Sequence, residues 1–164
     1  MPYSFEPLAE SHHQAVLEIF NHYIRHSMAA YAEEEVALPG LARLLEMIQG
    51  YPAAVVIAPQ GQVVGFAFLR PMHHLPTFRR AAEIAYFILP GHTGQGLGTA
   101  LLQRLEEGAR GMGIDTILAS ISSHNHGSQR FHRRQGFKEA GRFLRVGRKH
   151  GQDFDVVWMQ KTLA

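Results

Sequence analysis

The sequence predicts a mixed α/β fold: a mainly antiparallel sheet with helices on both faces, in a single domain over residues 1–164. Three observations lead there. Short β-rich runs alternate with segments of helical period along the chain. Two pairs of neighbouring strands are joined by hairpin signals, which makes them antiparallel. One strand instead runs through a glycine-rich loop into a helix and then another strand, a passage that can close as a parallel βαβ crossover.

The elements follow in order. "YSFEPL" is a short strand. "SHHQAVLEIFNHYIRH" is a helix with Ser11 as N-cap and Ala15, Ile19 and Tyr23 on one face. "MAAYAEEEVALPG" is a loop, and "LARLLEMIQG" a second helix closed by Gly50. "AAVVIA" and "QVVGFAFL" are strands joined by the turn "PQGQ". "RPMHHLPTFRR", with two prolines, is a loop. "AAEIAYFIL" is apolar along almost its whole length and reads as a strand buried on both faces. After the glycine loop, Leu97, Leu101, Leu105, Ala109 and Met112 mark one face of a helix that ends at "GMG". "DTILASI" is a strand, "NHGSQRFHRRQGF" a helix ending at Gly136, and "GRFLRVGRKHGQDFDVVWMQKTL" a terminal hairpin turning at "KHGQD".

Composition narrows the function. A hydrophobic fraction of 46% and a charged fraction of 18% are those of a soluble globular protein. The net charge is only +2, and the basic residues form no long run, so there is no nucleic-acid footprint. The cluster "RFHRRQGFK" is short and interrupted by aromatics, as suits a solvated helix face or a patch facing a polyanionic cofactor. The chain has no cysteine, which removes disulfides and thiolate chemistry. No apolar stretch is long enough to span a bilayer and "MPYSFEPLAESHH" is not a signal peptide, so the expectation is a cytoplasmic protein with no membrane partner. Eleven histidines raise the question of a metal, but no HExxH or comparable ligand spacing occurs, and no metal is expected.

The chemistry concentrates in "AYFILPGHTGQGLGTALLQRL". Glycines 91, 94, 96 and 98 stand between a strand and the start of a helix. A helix N-terminus has backbone N–H groups without intrahelical partners and a partial positive charge, so bare backbone there suits an anion, most often a phosphate. A plain strand-to-helix turn is the alternative. The loop is not a P-loop, because Gly98 is followed by Thr99 and no lysine. Nor is it a dinucleotide fingerprint, because Gly94-Gln95-Gly96-Leu97-Gly98 is one residue too short.

"ILPGHTGQGLGTALL" resembles the acetyl-CoA loop of GNAT-superfamily N-acetyltransferases, whose signature is Arg/Gln-x-x-Gly-x-Gly/Ala. Gly96 and Gly98 match, while Thr93 stands where the signature has Arg or Gln and leaves that pyrophosphate contact to backbone or water. The resemblance narrows to phosphinothricin acetyltransferase-like enzymes through "EIFNHYIRHSMAAYAEEEV", "VVGFAFLRP", "FRRAAEIAYFILPGHTGQGLG", "NHGSQRFHRRQGF" and "VGRKHGQDFDVVWMQ", in that order. It implies the GNAT acyl-CoA fold, acetyl-CoA as co-substrate, and acetylation of the α-amino group of phosphinothricin, methionine sulfone or sulfoximine, or a related amino acid. It also implies a homodimer, to which the aromatic and aliphatic surface of the terminal hairpin can contribute. The strand before the loop is expected to carry a bulge and to splay from the next, leaving N–H groups free.

Residue by residue, the resemblance assigns the pyrophosphate to the backbone of Gln95, Gly96, Leu97, Gly98, Thr99 and Ala100, and the pantetheine arm to Phe87, Ile88 and Leu89. The Ile88 N–H is the candidate to polarise the thioester carbonyl. Glu83, the one charge in "AAEIAYFIL", is the candidate general base; a carboxylate in an apolar strand is costly without a hydrogen bond or a purpose. A salt bridge to Arg79 or Arg80 is its plainer alternative. His132 is the candidate near the sulfur, to protonate the departing thiolate or orient the cofactor. Asn125 suits both an N-cap and the pantetheine amide. Phe78 and Arg79 match the branch's "FR" and are expected at the substrate, Arg79 on its carboxylate. Tyr31 is expected to line the same pocket or to join the core. The competing functions are an N-acetyltransferase for a polyamine, aminoglycoside or protein N-terminus, and a non-catalytic acyl-CoA-binding module.

Overall fold

Seven strands form one sheet in the computed structural model, which describes residues 2–164. They are Ser4–Pro7 (β1), Ala53–Ile57 (β2), Val63–Pro71 (β3), Ala81–Ile88 (β4), Thr116–Ser122 (β5), Lys138–Lys149 (β6) and Gln152–Thr162 (β7). Their order is β1-β2-β3-β4-β5-β7-β6. Every neighbouring pair is antiparallel except β4 and β5. That one parallel pair is the expected crossover, made through the helix Leu97–Gly111 (α3). Three further helices are His13–His26 (α1), Leu38–Met47 (α2) and His126–Arg134 (α4). Among the described residues, no helix is long and apolar enough to cross a membrane.

The continuous apolar runs of β2, β3 and β4 have a simple cause: both faces of the sheet are covered. Ala54, Val56, Ala67, Leu69, Ala82 and Ile84 join the core that Leu97, Leu101, Leu102 and Leu105 of α3 build on one face. Val55, Phe66 and Phe68 alternate with them and join Val16, Leu17 and Ile19 of α1 and Leu41 of α2 on the other. Strand β4 therefore sends Ile84 to the α3 face, and Ala85 and Phe87 to the α1 and α2 face.

Several local readings change. Ser11 is not the N-cap of α1; it lies in a 3-10 turn, Glu10–His12, where His12 Nδ1 accepts from the Ala9 N–H. Helix α2 starts at Leu38, because Pro39 is tolerated in a first turn whose N–H groups have no helical partner. Met112 caps α3 and is exposed, one residue beyond the end of the helix and outside the buried stripe, which ends at Ala109. Strand β4 pairs with β3 in uninterrupted register from Ala82 to Ile88, without the expected bulge. Strand β6 starts earlier, at Lys138. The terminal hairpin turns at His150 and Gly151, both with positive φ (49° and 77°), the geometry that suits a two-residue connection.

Candidate active site

Strands β4 and β5 pair only from Ala81–Glu83 to Thr116–Leu118. Beyond that point β4 stays with β3 as far as Ile88, and β5 stays with β7 as far as Ser122. The two strands part immediately after Glu83. A cleft of about 560 Å³ and a pocket of about 270 Å³ open along the gap. They share Ala29, Tyr86, Phe87, Asn125 and Ser128 as walls.

The larger cleft is built on the glycine loop. Gly94 and Gly96 have φ of 74° and 78°, a conformation costly for side chains, and a Cβ at either would meet open space. Gly96 caps α3, and the Ala100 N–H closes the first helical bond, to the Gly96 carbonyl at 3.1 Å. The N–H groups of Leu97, Gly98 and Thr99 precede that bond and have no helical partner. Gly98 is needed for another reason as well: a Cβ there would lie 3.2 Å from the Phe131 ring of α4. Thr93 turns its hydroxyl onto the Pro90 carbonyl at 2.9 Å, so it does not replace the missing Arg or Gln. His92 and the guanidinium-bearing Arg134 also line the cleft. An open backbone cradle at a helix N-terminus fits a phosphate-bearing ligand.

Of the residues expected at the cofactor, Phe87, Ile88, Gly96, Leu97, Gly98, Thr99 and Asn125 line this cleft. Leu89, Gln95 and Ala100 do not. The Leu89 N–H is committed to the Val64 carbonyl at 2.8 Å. Since antiparallel neighbours alternate, the Ile88 N–H points away from β3, toward the gap. The Ile88 carbonyl faces the same way and accepts from the Tyr23 hydroxyl. Asn125 takes the plainer of its two readings in full: its Oδ1 accepts from the Ser128 N–H at 3.1 Å and caps α4.

The smaller pocket holds Glu83. Its carboxylate is largely buried, and Oε1 accepts from Arg70 Nη2 at 2.7 Å. The two residues are directly opposed across β3 and β4. Arg70 replaces both ion-pair partners expected from the sequence. Arg80 pairs with Asp115 on the surface, and Phe78 and Arg79 sit in an exposed 3-10 segment that lines neither cavity. The segment leaves the sheet after Pro71, the last residue of β3, and Pro76 opens its 3-10 turn, so closeness in sequence to Glu83 does not bring it to the pocket. Tyr31 does line the pocket; its hydroxyl is 3.0 Å from Ser120 Oγ and its ring stacks on Phe154 at 5.4 Å.

Tyr31 belongs to the loop between α1 and α2, which forms one pocket wall with Ala29, Ala30 and Ala32. A buried cation holds that loop. Lys149, 2% exposed, donates from Nζ to the carbonyls of Ser27 at 2.7 Å and Ala30 at 2.6 Å. The neighbouring His150 N–H donates to Glu33 Oε1 at 2.7 Å.

On the α3 face of the gap, the hydroxyl of Tyr86 meets His132 Nε2. His132 Nδ1 lies 2.6 Å from the Ser128 carbonyl, which can only accept, so Nδ1 carries the proton and Nε2 accepts from Tyr86. Burial pushes the His132 pKa down to about 4, against a smaller opposing effect of the Ser128 carbonyl, and burial raises Tyr86 well above its usual 10. His132 is thus neutral at neutral pH with both nitrogens engaged. It has no spare proton for a thiolate, and of its two expected roles orientation is the one its geometry allows.

The same shift has a stability consequence. The unfolded chain protonates His132 near 6.5 and the folded chain near 4, so stability is full above 6.5 and falls as pH drops between those values. The expected loss is about 3 kcal/mol. Urea unfolding of wild type and His132→Gln at about pH 7 and about pH 4.5 checks it. The variant should lose about 2–3 kcal/mol less than wild type over this interval, and equal losses would refute the assignment.

Among the described residues, no group of three His, Cys, Asp or Glu is placed to hold a metal ion. A family model described as "Acetyltransferase (GNAT) family" matches residues 14–137. The L-methionine sulfoximine/L-methionine sulfone acetyltransferase of Pseudomonas aeruginosa is 33% identical over 150 residues, 90% of this chain and 87% of its own. The Salmonella typhimurium acetyltransferase yncA, solved with its cofactor acetyl-CoA, superposes with a TM-score of 0.92 at 31% identity, over 100% of this chain and 95% of that one. A GNAT phosphinothricin acetyltransferase of Sinorhizobium meliloti, in complex with acetyl-CoA, gives a TM-score of 0.94 at 26% identity, over 100% of this chain and 90% of that one.

The fold is that of known acetyltransferases, and the chain belongs to the GNAT acetyltransferase family. It is an enzyme of acetyl transfer to an amine.

Proposed function

We propose that this protein transfers the acetyl group of acetyl-CoA to the α-amino group of a small amino acid or analogue, of the methionine sulfone, methionine sulfoximine or phosphinothricin type, within a ternary complex. One observation carries the reading: a largely buried carboxylate, Glu83, stands where β4 and β5 part, in a pocket that shares walls with the glycine-loop cleft. The named acceptors of the relatives agree with it.

Acetyl-CoA supplies an acyl carbon already activated as a thioester. The α3 N-terminus and the cradle of Gly94 and Gly96 would hold its phosphates. Glu83 takes one proton from the substrate ammonium, directly or through a water, and leaves a nucleophilic amine. The Ile88 N–H donates to the acyl oxygen while the C–N bond forms and the C–S bond breaks. The second proton released by nitrogen passes through water to the departing sulfur, which balances the reaction. Tyr86, held by His132, presents its oxygen as an acceptor at the junction of the two cavities, where it can fix an N–H of the pantetheine arm.

Release of free CoA thiol across a panel of amines tests the reading. Turnover is expected on methionine sulfone, methionine sulfoximine or phosphinothricin, and not on polyamines or a short peptide. Turnover confined to amines without an α-carboxylate would overturn the substrate class. Acetyl-CoA binding without turnover on any acceptor would overturn catalysis on this panel altogether.

We further propose a homodimer. Phe143, Leu144 and Val146 lie 59%, 71% and 58% exposed on the edge strand β6, which supports its use as an interface. Light scattering at micromolar concentration is expected to give twice the chain mass of 18.4 kDa; the single-chain mass would refute it.

A further inference from the structure

The walls of the larger cleft are one-sided in charge. Among the described residues they include Arg134 and His92 and no carboxylate. Arg134 is exposed at the end of α4, whereas His92 is half-buried beside the glycine cradle. The GNAT signature has Arg or Gln at position 93, and here Thr93 spends its hydroxyl on the Pro90 carbonyl instead. His92 stands next to it, and two contacts fix it. Its backbone ends a 3-10 turn, Pro90–His92, in which the His92 N–H donates to the Leu89 carbonyl at 2.9 Å. Its ring is held by Tyr3, 89 residues earlier in the chain. The Tyr3 hydroxyl lies 2.8 Å from His92 Nδ1, and the two rings meet edge to face with centroids 5.8 Å apart. Tyr3 is itself packed against the α3 side of the core, just ahead of β1.

This arrangement decides what the ring can offer. Tyr3 does not line the cleft, so Nδ1 is engaged outside it. Nε2 has no hydrogen-bond partner among the described residues and is the nitrogen left for a ligand. The bond made by one ring nitrogen sets the proton on the other. A phenol donates more readily than it accepts, so Nδ1 accepts from Tyr3 and Nε2 carries the ring N–H. A fixed N–H donor beside bare backbone N–H groups, with no acid among the walls, suits a phosphoryl oxygen. We propose that His92 is a phosphate ligand of the acetyl-CoA cleft, donating from Nε2, and that Tyr3 is its positioning residue. The pair supplies, from outside the signature, the side-chain contact that Thr93 leaves unmade. It also gives the start of the chain a part in cofactor recognition, although β2 and β3 separate β1 from β4 in the sheet. The assignment concerns the cofactor and holds whichever amine is acetylated.

Two measurements without an acceptor test it: calorimetry with CoA and with 3′-dephospho-CoA, and the nitrogen NMR signals of the His92 ring, identified by their absence from His92→Ala. His92→Ala is expected to weaken CoA about tenfold. Equal losses for both ligands place the contact on the pyrophosphate, and a loss confined to CoA places it on the 3′-phosphate. His92→Gln, which keeps a neutral N–H donor, should recover part of the affinity. Tyr3→Phe keeps the ring and removes the hydroxyl. It should weaken CoA about threefold in the wild-type background and not at all in the His92→Ala background, because its effect runs through His92. In wild type, Nε2 should be the protonated nitrogen and its signal should move when CoA is added, whereas Tyr3→Phe should show both tautomers. Melting curves confirm that each variant is folded; should His92→Ala fail this control, His92→Phe, which keeps a ring without a donor, takes its place. Unchanged affinity for both ligands overturns the assignment, as does an Nε2 signal that ignores CoA. A Tyr3→Phe loss that persists without His92 overturns the positioning role of Tyr3.

Discussion

Glu83→Gln is expected to lower kcat by about 100-fold or more, the usual contribution of a positioned general base. The substitution preserves shape, and a Gln oxygen can still accept from Arg70, so the pocket should persist. Acetyl-CoA affinity should be unchanged, because the cradle at α3 lies in the other cavity. The loss should depend on pH in a telling way. A base is needed only while the amine is protonated, so the deficit should shrink as pH approaches the ammonium's own pKa. Initial rates with saturating co-substrate, read as CoA thiol across that range, check both statements. A constant deficit at every pH would assign Glu83 to positioning rather than proton removal, and an unchanged kcat would remove it from the mechanism.

Lys149→Met is expected to cost about 3 kcal/mol, although it keeps most of the buried stem. The loss comes from what stays behind: the Ser27 and Ala30 carbonyls lose their charged donor in a place water reaches poorly. For a chain of this size that corresponds to a melting temperature lower by about 6 to 12 °C. Catalysis should change selectively. The loop that presents Tyr31 must then be ordered by the substrate, and KM for the amine should rise roughly fivefold, equivalent to about 1 kcal/mol of ordering. The acetyl-CoA constant should hold, since that loop contributes to its cleft only through Ser27 and Ala29. A melting curve and two Michaelis constants suffice, and an equal rise in both constants would argue against a specific role for Lys149 at the acceptor wall.

The parts of the site that were legible in the sequence are those whose chemistry is local. The glycine loop announces itself because positive φ at Gly94 and Gly96 and the close packing of Gly98 on Phe131 are all met within one short stretch. Asn125 is legible as a cap, and Glu83 as the sole charge in an apolar strand. The alternation of two cores across β2, β3 and β4 follows from their unbroken hydrophobicity. What could not be read depends on register between distant segments. Arg70 reaches Glu83 only because β3 and β4 pair in one particular register after a connection with no turn signal, and Arg79, nearer in sequence, was the natural but wrong partner. The burial of His132 depends on Tyr86, a strand residue whose direction is set by where β4 leaves β5. A lysine at a hairpin tip gives no sequence sign that it will be one of the most buried side chains in the protein.

The grip of Lys149 on the α1–α2 loop also bears on the order in which the molecule comes into being. Its two acceptors lie 122 and 119 residues earlier in the chain. Contacts of such separation form late, because the entropy of closing the intervening chain is spent before they return anything. During synthesis the glycine loop and α3 are complete, with the strands that flank them, while the lysine that organises the acceptor wall has yet to leave the ribosome. The hold of Lys149 on the α1–α2 loop is therefore expected to be set only after the glycine loop and α3 are in place, so that this wall of the smaller pocket is among the last parts of the molecule to be fixed.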